Sequence, residues 1–531
     1  MIKYDNLGVM LDCSRNGVMK SATVKRFIDY LAMIGYNTLE LYTEDTFKIP
    51  NEKYFGYLRG GYSGDEIKEI DAYAKEKGIE LIPCVQGLAH FDTLVKLPMY
   101  RDIVDIDNIL LVDEPKTYEL IDKIFDFLAQ NFTSRRANIG MDEAHLLGLG
   151  KFLDKHGFQK RFDILLRHLN KVNGIALKYG FKIGIWSDMF FRLLNNGEYY
   201  GDNVDISQDI IDKIPDNVEL IYWDYYHLES EMYDKMIGAH IKTGKEVWFA
   251  GGAWSWCGFA PLNQRSLDRC IPAISNVIKH NVKRVLITIW GDDGKECSAF
   301  ALLPTLYAFR QFADGNFNMA EIKEGFKLLL GFDFDEFMYL DKVNCSKKNI
   351  ELAELENPCK SLLYNDCFLG TMDKDLEDEG EMPFAEWADK IKTVGKNMGE
   401  FEYLFTMLSS LADLLAAKYD LGIRTRKAYK KKDTEKLREI IERYTETEKR
   451  LEIFYKNFKD MWFRENKPHG WEVQDIRLGG LARRISSCKE RINAYVSGEI
   501  TDIPELEEEI YNYRGDLFRD KWQNIVTTSK I

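Results

Sequence analysis

Two adjacent carboxylates, Asp142 and Glu143, stand where an apolar stretch of the chain gives way to a glycine-rich segment. The stretch RRANIGMDEAHLLGLGKF predicts a short strand that stops on these two acids, followed by a loop. A positioned carboxyl group can protonate a leaving group, and a carboxylate can stabilise positive charge as it develops. The pair therefore predicts a site of acid–base chemistry at the end of a strand.

Acids and tryptophans also concentrate just past the other predicted strands. Aromatic faces that stack on C–H surfaces, together with charged groups that bind hydroxyls, are what a carbohydrate site needs. Each residue alone has a plain explanation, because a single Trp is more often core and Asp142 can cap a helix. The prediction of a carbohydrate site depends on their coincidence at one rim. These residues are Asp12, Arg15, Glu44, Asp45, His90, Asp142, Glu143, Trp186, Asp188, Trp223 to Tyr225, Trp254, Trp256, Trp290, Asp292 and Asp293.

The adjacency of the two acids restricts their chemistry. Successive side chains of a strand point to opposite faces, whereas the acid and nucleophile of a typical glycosidase lie about 5–9 Å apart across the sugar. Asp142 and Glu143 are therefore not expected to form that pair. If the substrate carries its own nucleophile, such as the carbonyl oxygen of a 2-acetamido group, one acid suffices and the other holds the nucleophile.

The elements that must position these residues alternate between strands and helices. The strands are predicted at LGVMLD, YNTLELY, IELIPCV, ANIGM, KIGIW, VELIYW, EVWFAG and RVLITIW. Ser63 and Glu66 predict a capping box, and Gly35 and Gly78 predict helix ends. Eight strand–helix units predict an α/β fold with a (β/α)8 TIM barrel at residues 1–315, whose active site lies at the strands' carboxyl ends.

After about Gly315 the strand signal disappears, and a mostly α-helical C-terminal domain is predicted for residues 316–531. One helical face carries Leu437, Ile441, Tyr444, Leu451, Phe454, Phe458 and Trp462. This stripe favours packing in the core over a homodimer seam by about two to one. The segment ENKPHGWEVQDIRLGGL, with Pro468, Gly470, Trp471, Gly479 and Gly480, predicts a turn-rich insert. It is expected to be a packing corner, or a loop that reaches a barrel mouth.

Composition excludes several classes of protein. The 531 residues carry a formal net charge of −14, which argues against nucleic acid and anionic membrane as partners. The sequence has no zinc-type cysteine cluster and no phosphate-binding loop, so no metal and no cofactor are predicted. Nine scattered cysteines and the lack of a signal-peptide pattern predict a cytoplasmic protein with reduced thiols. The expected partner is a small-molecule carbohydrate substrate.

In these motifs the chain resembles glycoside hydrolase family 20, the β-N-acetylhexosaminidases. The family's fourth strand ends in His-x-Gly-Gly-Asp-Glu, and here the segment is Asn138-Ile139-Gly140-Met141-Asp142-Glu143. The resemblance covers roughly residues 1–315. It implies that Glu143 is the general acid/base and that Asp142 orients the acetamido group and steadies the oxazolinium charge.

The resemblance extends to other strand ends. Arg15 looks like the arginine that binds the sugar's 3- and 4-hydroxyls. Glu44 and His90 look like the acid and histidine that bond toward the catalytic Glu and would help keep Glu143 protonated. Trp186, Trp223 and Trp290 look like the walls of the acetamido pocket, with Trp254 as a further substrate-binding residue.

Asn138 and Met141 replace the motif's His and second Gly, Glu44 stands where an Asp is usual, and three further features depart from the family pattern. Asp292 stands where a Glu is usual, and this shorter side chain reaches less far toward the sugar hydroxyl that the family's Glu contacts. No tyrosine follows the seventh strand in GGAWSWCG, and Tyr225, past the sixth strand, is the substitute candidate for bonding the acetamide carbonyl. The family's usual N-terminal α+β domain is also not seen, which suggests a divergent intracellular branch.

Three functional hypotheses follow. The first is an exo-β-N-acetylhexosaminidase that removes terminal β-linked GlcNAc or GalNAc with retention, through an oxazolinium intermediate. The second is a retaining glycosidase that uses two separated carboxylates, such as Glu143 and Asp292. The third is a non-catalytic sugar-binding barrel, against which the intact Asp142 and Glu143 argue.

Overall fold

The N-terminal part of the chain is a closed barrel of eight parallel strands, each paired with its sequence neighbours. The computed structural model describes residues 3–256, 258–345, 358–374, 382–511 and 521–531. The (β/α)8 prediction is confirmed, since the strands lie where the alternation places them. They are Asn6–Asp12, Thr38–Tyr42, Glu80–Cys84, Arg136–Asn138, Lys182–Trp186, Val218–Trp223, Val247–Gly252 and Arg284–Ile289.

Helices follow the strands and cover the outside of the barrel. The capping box of Ser63 and Glu66 is formed, and Gly35 ends the first helix in the left-handed conformation, with φ 98°. A short antiparallel pair, Val104–Ile106 with Ile109–Leu110, follows the third strand. The α-helices are Ser21–Ile34, Gly64–Glu76, Pro115–Asn131, Lys151–His156, Arg161–Lys178, Asp188–Leu194, Gln208–Ile211, Ser230–Lys242, Asn263–Lys279 and Leu303–Ala313.

The fourth strand is shorter than its apolar pattern predicts. It ends at Asn138, and Gly140, Met141 and Glu143 all have positive φ, at 66°, 70° and 52°. A β-carbon at position 140 would lie 2.0 Å from the Gln86 side-chain oxygen, so this turn requires glycine. Asp142 and Glu143 therefore lie in a loop. The expectation that they point to opposite faces of a strand is wrong.

The C-terminal part of the described chain is helical, as predicted. Two long helices, Thr434–Glu465 (the first long helix) and Trp471–Ser497 (the second long helix), pack against each other. Six of the seven predicted stripe residues are buried and Ile441 is half-buried, so this face belongs to the core, while homodimerisation remains a prediction. The other α-helices are Met319–Leu330, Phe334–Phe337, Pro358–Tyr364, Phe384–Gly395, Glu402–Lys418, Leu421–Lys430, Pro504–Glu507 and Trp522–Val526.

The predicted turn-rich insert is mostly helix. Only the short turn around Pro468 and Gly470 separates the two long helices, and Gly479 and Gly480 lie inside the second one. Each internal glycine costs about 1 kcal/mol relative to alanine, but buried Leu478 and Leu481 on either side anchor the helix. Tertiary packing therefore overrides the local signal.

None of the helices in the described ranges is both long and apolar enough to cross a bilayer. The eight cysteines within those ranges are buried and free of disulfides; Cys257 lies outside the described residues.

Candidate active site

The two acids of the fourth-strand loop meet at one imidazole. His90 Nε2 lies 3.0 Å from Asp142 Oδ2 and 3.8 Å from Glu143 Oε2. The Asp142 side chain is 12% exposed and that of Glu143 is 39% exposed. Glu143 is therefore open to a bound molecule, whereas Asp142 is more deeply buried.

Asp142 is held by a buried hydrogen-bond chain. Gln86 donates to Asp142 Oδ1 at 3.0 Å and to the Tyr42 hydroxyl at 2.9 Å, and Tyr42 donates to Glu44 Oε1 at 2.9 Å. Glu44 is thus linked to Asp142 through Tyr42 and Gln86, and it also lies 3.5 Å from Arg15. His90 is predicted to lie between Glu44 and Glu143. In the structure the nearer carboxylate of His90 is Asp142, to which Glu44 is connected through Tyr42 and Gln86.

The charges of this cluster stabilise one another. Burial alone would lower the pKa of His90, but Asp142 and Glu143 raise it to about 9, so the imidazole is charged near neutral pH. Burial would raise the pKa of Asp142, but His90 and the donor Gln86 hold it below its ordinary value. The site therefore presents an ionised Asp142 beside an imidazolium.

Glu143 has a second set of supports on the helix after the fifth strand. Its backbone N–H donates to Asp188 Oδ2 at 3.1 Å, and Arg192 Nη2 lies 3.3 Å from Glu143 Oε1. Arg192 Nε also lies 2.9 Å from Asp188. Burial, followed by the charge of Asp142, raises the pKa of Asp188 to about 7. Asp188 and Arg192 together fix both the backbone and the carboxyl group of Glu143.

Arg15 joins the first and eighth strand ends. Its guanidinium lies 3.2 Å from Asp12, 3.5 Å from Glu44 and 3.4 Å from Asp292. It also lies over the rings of Tyr42 and Trp290, at 4.6 and 4.9 Å from their centroids. The structure thus brings Arg15 and Asp292 together at the rim, with their polar groups next to the acid cluster of His90, Asp142 and Glu143.

Aromatic rings form a wall beside the acids. Trp186 and Trp290 lie 6.0 Å apart at their ring centroids, and Trp223 stacks on Tyr225 at 5.3 Å. Burial raises the pKa of the Tyr225 hydroxyl, and hydrogen bonds from Thr288 and Trp290 oppose this rise. The Trp186 Nε1–H is buried and has no acceptor among the described residues. The four predicted aromatic residues therefore lie close together.

Trp254 lies behind this wall. It is 1% exposed, stacks on Trp256 at 4.0 Å, and donates from its indole N–H to the Tyr225 carbonyl. Trp256 packs edge-on against Tyr225 at 5.5 Å. A β-carbon at Gly252 would lie 2.9 Å from both Tyr225 and Trp256, so the seventh strand needs glycine here. This placement suits Trp254 to support Tyr225, while substrate contact by Trp254 stays a prediction.

One group of three possible metal ligands occurs in the described part of the chain. Atoms of His90, Asp142 and Glu143 lie within 4.8 Å of one another. A protonated imidazole cannot donate to a metal, and His90 carries its proton near neutral pH. A metal ion would therefore have to displace this proton before His90 could coordinate it.

Three residues of the site are not predicted as functional from the sequence: Tyr42, Gln86 and Arg192, the last of which pairs with the predicted strand-end residue Asp188. Tyr42 and Gln86 flank predicted strand ends, but only the barrel closure brings their polar groups between Glu44 and Asp142. Asp188 stands at a predicted strand end, and Arg192 is four residues on, at helical spacing. That spacing is the signal by which the pair can be found.

Two family models match the chain. The model of the glycosyl hydrolase family 20 catalytic domain matches residues 4–207, and that of the glycoside hydrolase 20C C-terminal domain matches residues 335–524. The two matches fall on the barrel and on the helical part.

Similar proteins are named as hexosaminidases. Beta-hexosaminidase subunit A1 of Dictyostelium discoideum is 23% identical over 310 residues, which are 50% of this chain and 56% of that protein. Beta-hexosaminidase of Vibrio furnissii is 29% identical over 27% of this chain and 29% of its own length. Hexosaminidase D of Bos taurus is 24% identical over 47% and 70%. The chain thus matches about half or less of the first two relatives.

Chains of solved β-N-acetylhexosaminidase structures are also similar to this chain. The β-N-acetylhexosaminidase from Bacteroides fragilis is 18% identical, with a TM-score of 0.47 over 62% of this chain and 70% of that one. The Streptomyces plicatus N-acetyl-β-hexosaminidase in complex with Thio-NAglucal is 19% identical, with a TM-score of 0.45 over 62% and 70%.

Proposed function

We propose that this chain, which belongs to glycoside hydrolase family 20, is an exo-β-N-acetylhexosaminidase that removes terminal β-linked GlcNAc or GalNAc. The observation that carries the proposal is the meeting of Asp142 and Glu143 at His90, beside a wall of three indoles. Asp142 and Glu143 each place a carboxylate oxygen within 4.8 Å of one another and of the imidazole, so both acids act at one point of the site.

In the proposed first step, the acetamido carbonyl oxygen attacks C1 and Glu143 protonates the departing oxygen. Asp142, ionised and anchored by Gln86 and His90, stabilises the positive charge of the oxazolinium ion and orients its N–H. Glu143 then takes a proton from water as the water opens the ring at C1. Two displacements at the same carbon return the original configuration, so the reaction is retaining.

Substrate binding is assigned to the rim and the wall. Arg15 and Asp292, 3.4 Å apart, are suited to bind hydroxyls of the terminal sugar. Trp186, Trp223 and Trp290 enclose the acetyl methyl, and Tyr225 is the proposed donor to the acetamide carbonyl. The Trp186 N–H, which has no acceptor in the described ranges of the chain, is a second donor at this wall.

Aryl glycosides with and without the 2-acetamido group test this proposal. We expect the protein to hydrolyse p-nitrophenyl β-GlcNAc but not p-nitrophenyl β-glucoside, because the glucoside lacks the nucleophile. Activity on both substrates would favour a glycosidase with two carboxylates, Glu143 and Asp292. Binding without turnover of either would favour a sugar-binding barrel.

A further inference from the structure

A buried cluster of four charges connects the helical region to the loop that carries Asp292. This eighth-strand loop comprises residues 291–298. Arg477, on the second long helix, donates to Asp293 Oδ1 at 2.9 Å and to Glu296 Oε1 at 3.0 Å. Lys360 Nζ lies 2.8 Å from both Asp293 Oδ2 and Glu296 Oε2. The Lys360 and Glu296 side chains are each 1% exposed, so bulk water solvates neither charge.

The same contacts hold the backbone of the loop. Arg477 Nη1 and Lys360 Nζ donate to the Asp293 carbonyl at 2.6 and 2.8 Å, and Gln474 donates to the Gly294 carbonyl at 3.3 Å. Asp293 and Lys295 have positive φ, at 54° and 55°, which non-glycine residues rarely adopt. Such a backbone persists only when its surroundings fix it, and here those surroundings include the helical region.

The loop that carries Arg15 rests on the same helices. The Lys467 N–H donates to the Val18 carbonyl at 2.8 Å, and the Lys20 N–H donates to the Glu465 carbonyl at 2.9 Å. Both sides of the Arg15–Asp292 pair, 3.4 Å apart, are therefore supported by one helical hairpin. The barrel alone provides no comparable contact for the Asp293 carboxylate among the described residues.

We propose that Arg477 and Lys360 are positioning residues that set Asp292 against Arg15, so that the helical region completes the binding site for the terminal sugar's hydroxyls. This proposal rests on the proposed function, because it assigns Asp292 to the substrate. Loosening the cluster lets Asp292 move away from Arg15. Sugar binding is then weakened, although neither Arg477 nor Lys360 touches the sugar.

The test compares two arginines of one helix. Arg477→Met breaks the cluster, and Arg484→Met is the matched control, since Arg484 pairs with Asp366 at 2.6 and 3.0 Å, away from the eighth-strand loop. With p-nitrophenyl β-GlcNAc, well below both melting temperatures, Arg477→Met should raise KM about tenfold and change kcat little. Arg484→Met should stay within about twofold of wild type. Equal losses in both variants would overturn the proposal.

A double-mutant cycle separates positioning from general loosening. In the Asp292→Ala background, Arg477→Met should cost no more than about a further twofold, because the group that it positions is gone. An undiminished tenfold loss in that background would contradict the proposal. If Arg477→Met does not fold, Gln474→Leu, which removes only the bond to Gly294, should raise KM in the same Asp292-dependent way.

Failure of the proposed function gives a different result. If wild type hydrolyses no acetamido glycoside, that function is overturned, and calorimetric binding of GlcNAc to the same variants replaces the kinetic test. Weaker binding in Arg477→Met than in Arg484→Met would still support positioning by the helical region. Equal binding in both variants would overturn it.

Discussion

Replacing His90 by glutamine should remove a charge that two carboxylates hold in place. The pKa of His90 is raised from 6.5 to about 9, which corresponds to about 3 kcal/mol in favour of the charged folded form. A raised pKa adds stability that is fully present below pH 6.5 and is lost as the pH rises through about 9. The wild type should therefore lose about 3 kcal/mol more than His90→Gln between pH 6 and pH 10.

Urea denaturation of both proteins at the two pH values measures this difference. The pH dependence of kcat should change as well, because His90 holds the pKa of Asp142 low against the effect of burial. In His90→Gln the pKa of Asp142 should rise, so the acidic limb of the kcat profile should move to higher pH. His227→Gln is the control for the kcat profile, because His227 forms a similar pair with Asp224 at 2.8 Å outside the acid cluster. The reasoning would be refuted if wild type and His90→Gln differed by the same free energy of unfolding at both pH values, or if the acidic limb of the kcat profile did not move.

Three further predictions concern the general acid, the barrel core and the aromatic wall. Glu143→Gln should lower kcat about 10²–10⁴-fold on natural saccharides and much less on activated aryl glycosides, and equal losses in steady-state kinetics would speak against an acid role. Burial raises the pKa of Glu40 to about 8, so Glu40→Gln should raise the free energy of unfolding by up to about 4 kcal/mol at pH 8.5 and by little at pH 5; urea titrations showing the same gain at both would contradict this. Substrates with propionyl or butyryl in place of acetyl should lose about tenfold or more in kcat/KM per added methylene against the buried indoles, and undiminished turnover would mean an open pocket.

The barrel could be predicted because each strand's apolar run is bounded by helix signals in the sequence. The fourth strand is the exception. The apolar residues Ile139 and Met141 extend the pattern, while the left-handed backbone at Gly140 and Met141 ends the strand early. That backbone is set by the close approach of Gln86, a contact with a residue 54 positions away in sequence that no local pattern shows.

The candidate site was predictable where its residues follow strand ends, as for Arg15, His90 and the tryptophans. The residues that connect them by hydrogen bonds could not be predicted, because the sequence around Tyr42 and Gln86 is typical of ordinary strand ends. The contribution of the helical region was also hidden. Gly479 and Gly480 suggest a turn, whereas packing keeps them in a helix that presents Arg477 to the eighth-strand loop.

A thiazoline analogue of the oxazolinium intermediate tests the role of the acetamido group most directly. Its inhibition constant, measured for wild type and for Asp142→Asn, reports how strongly the ionised carboxylate stabilises the cyclic intermediate. The wild type should bind the thiazoline at least about 100-fold more tightly than the variant, while the product GlcNAc distinguishes them much less. Equal inhibition of the two proteins by the thiazoline would contradict substrate-assisted catalysis with Asp142 in this role.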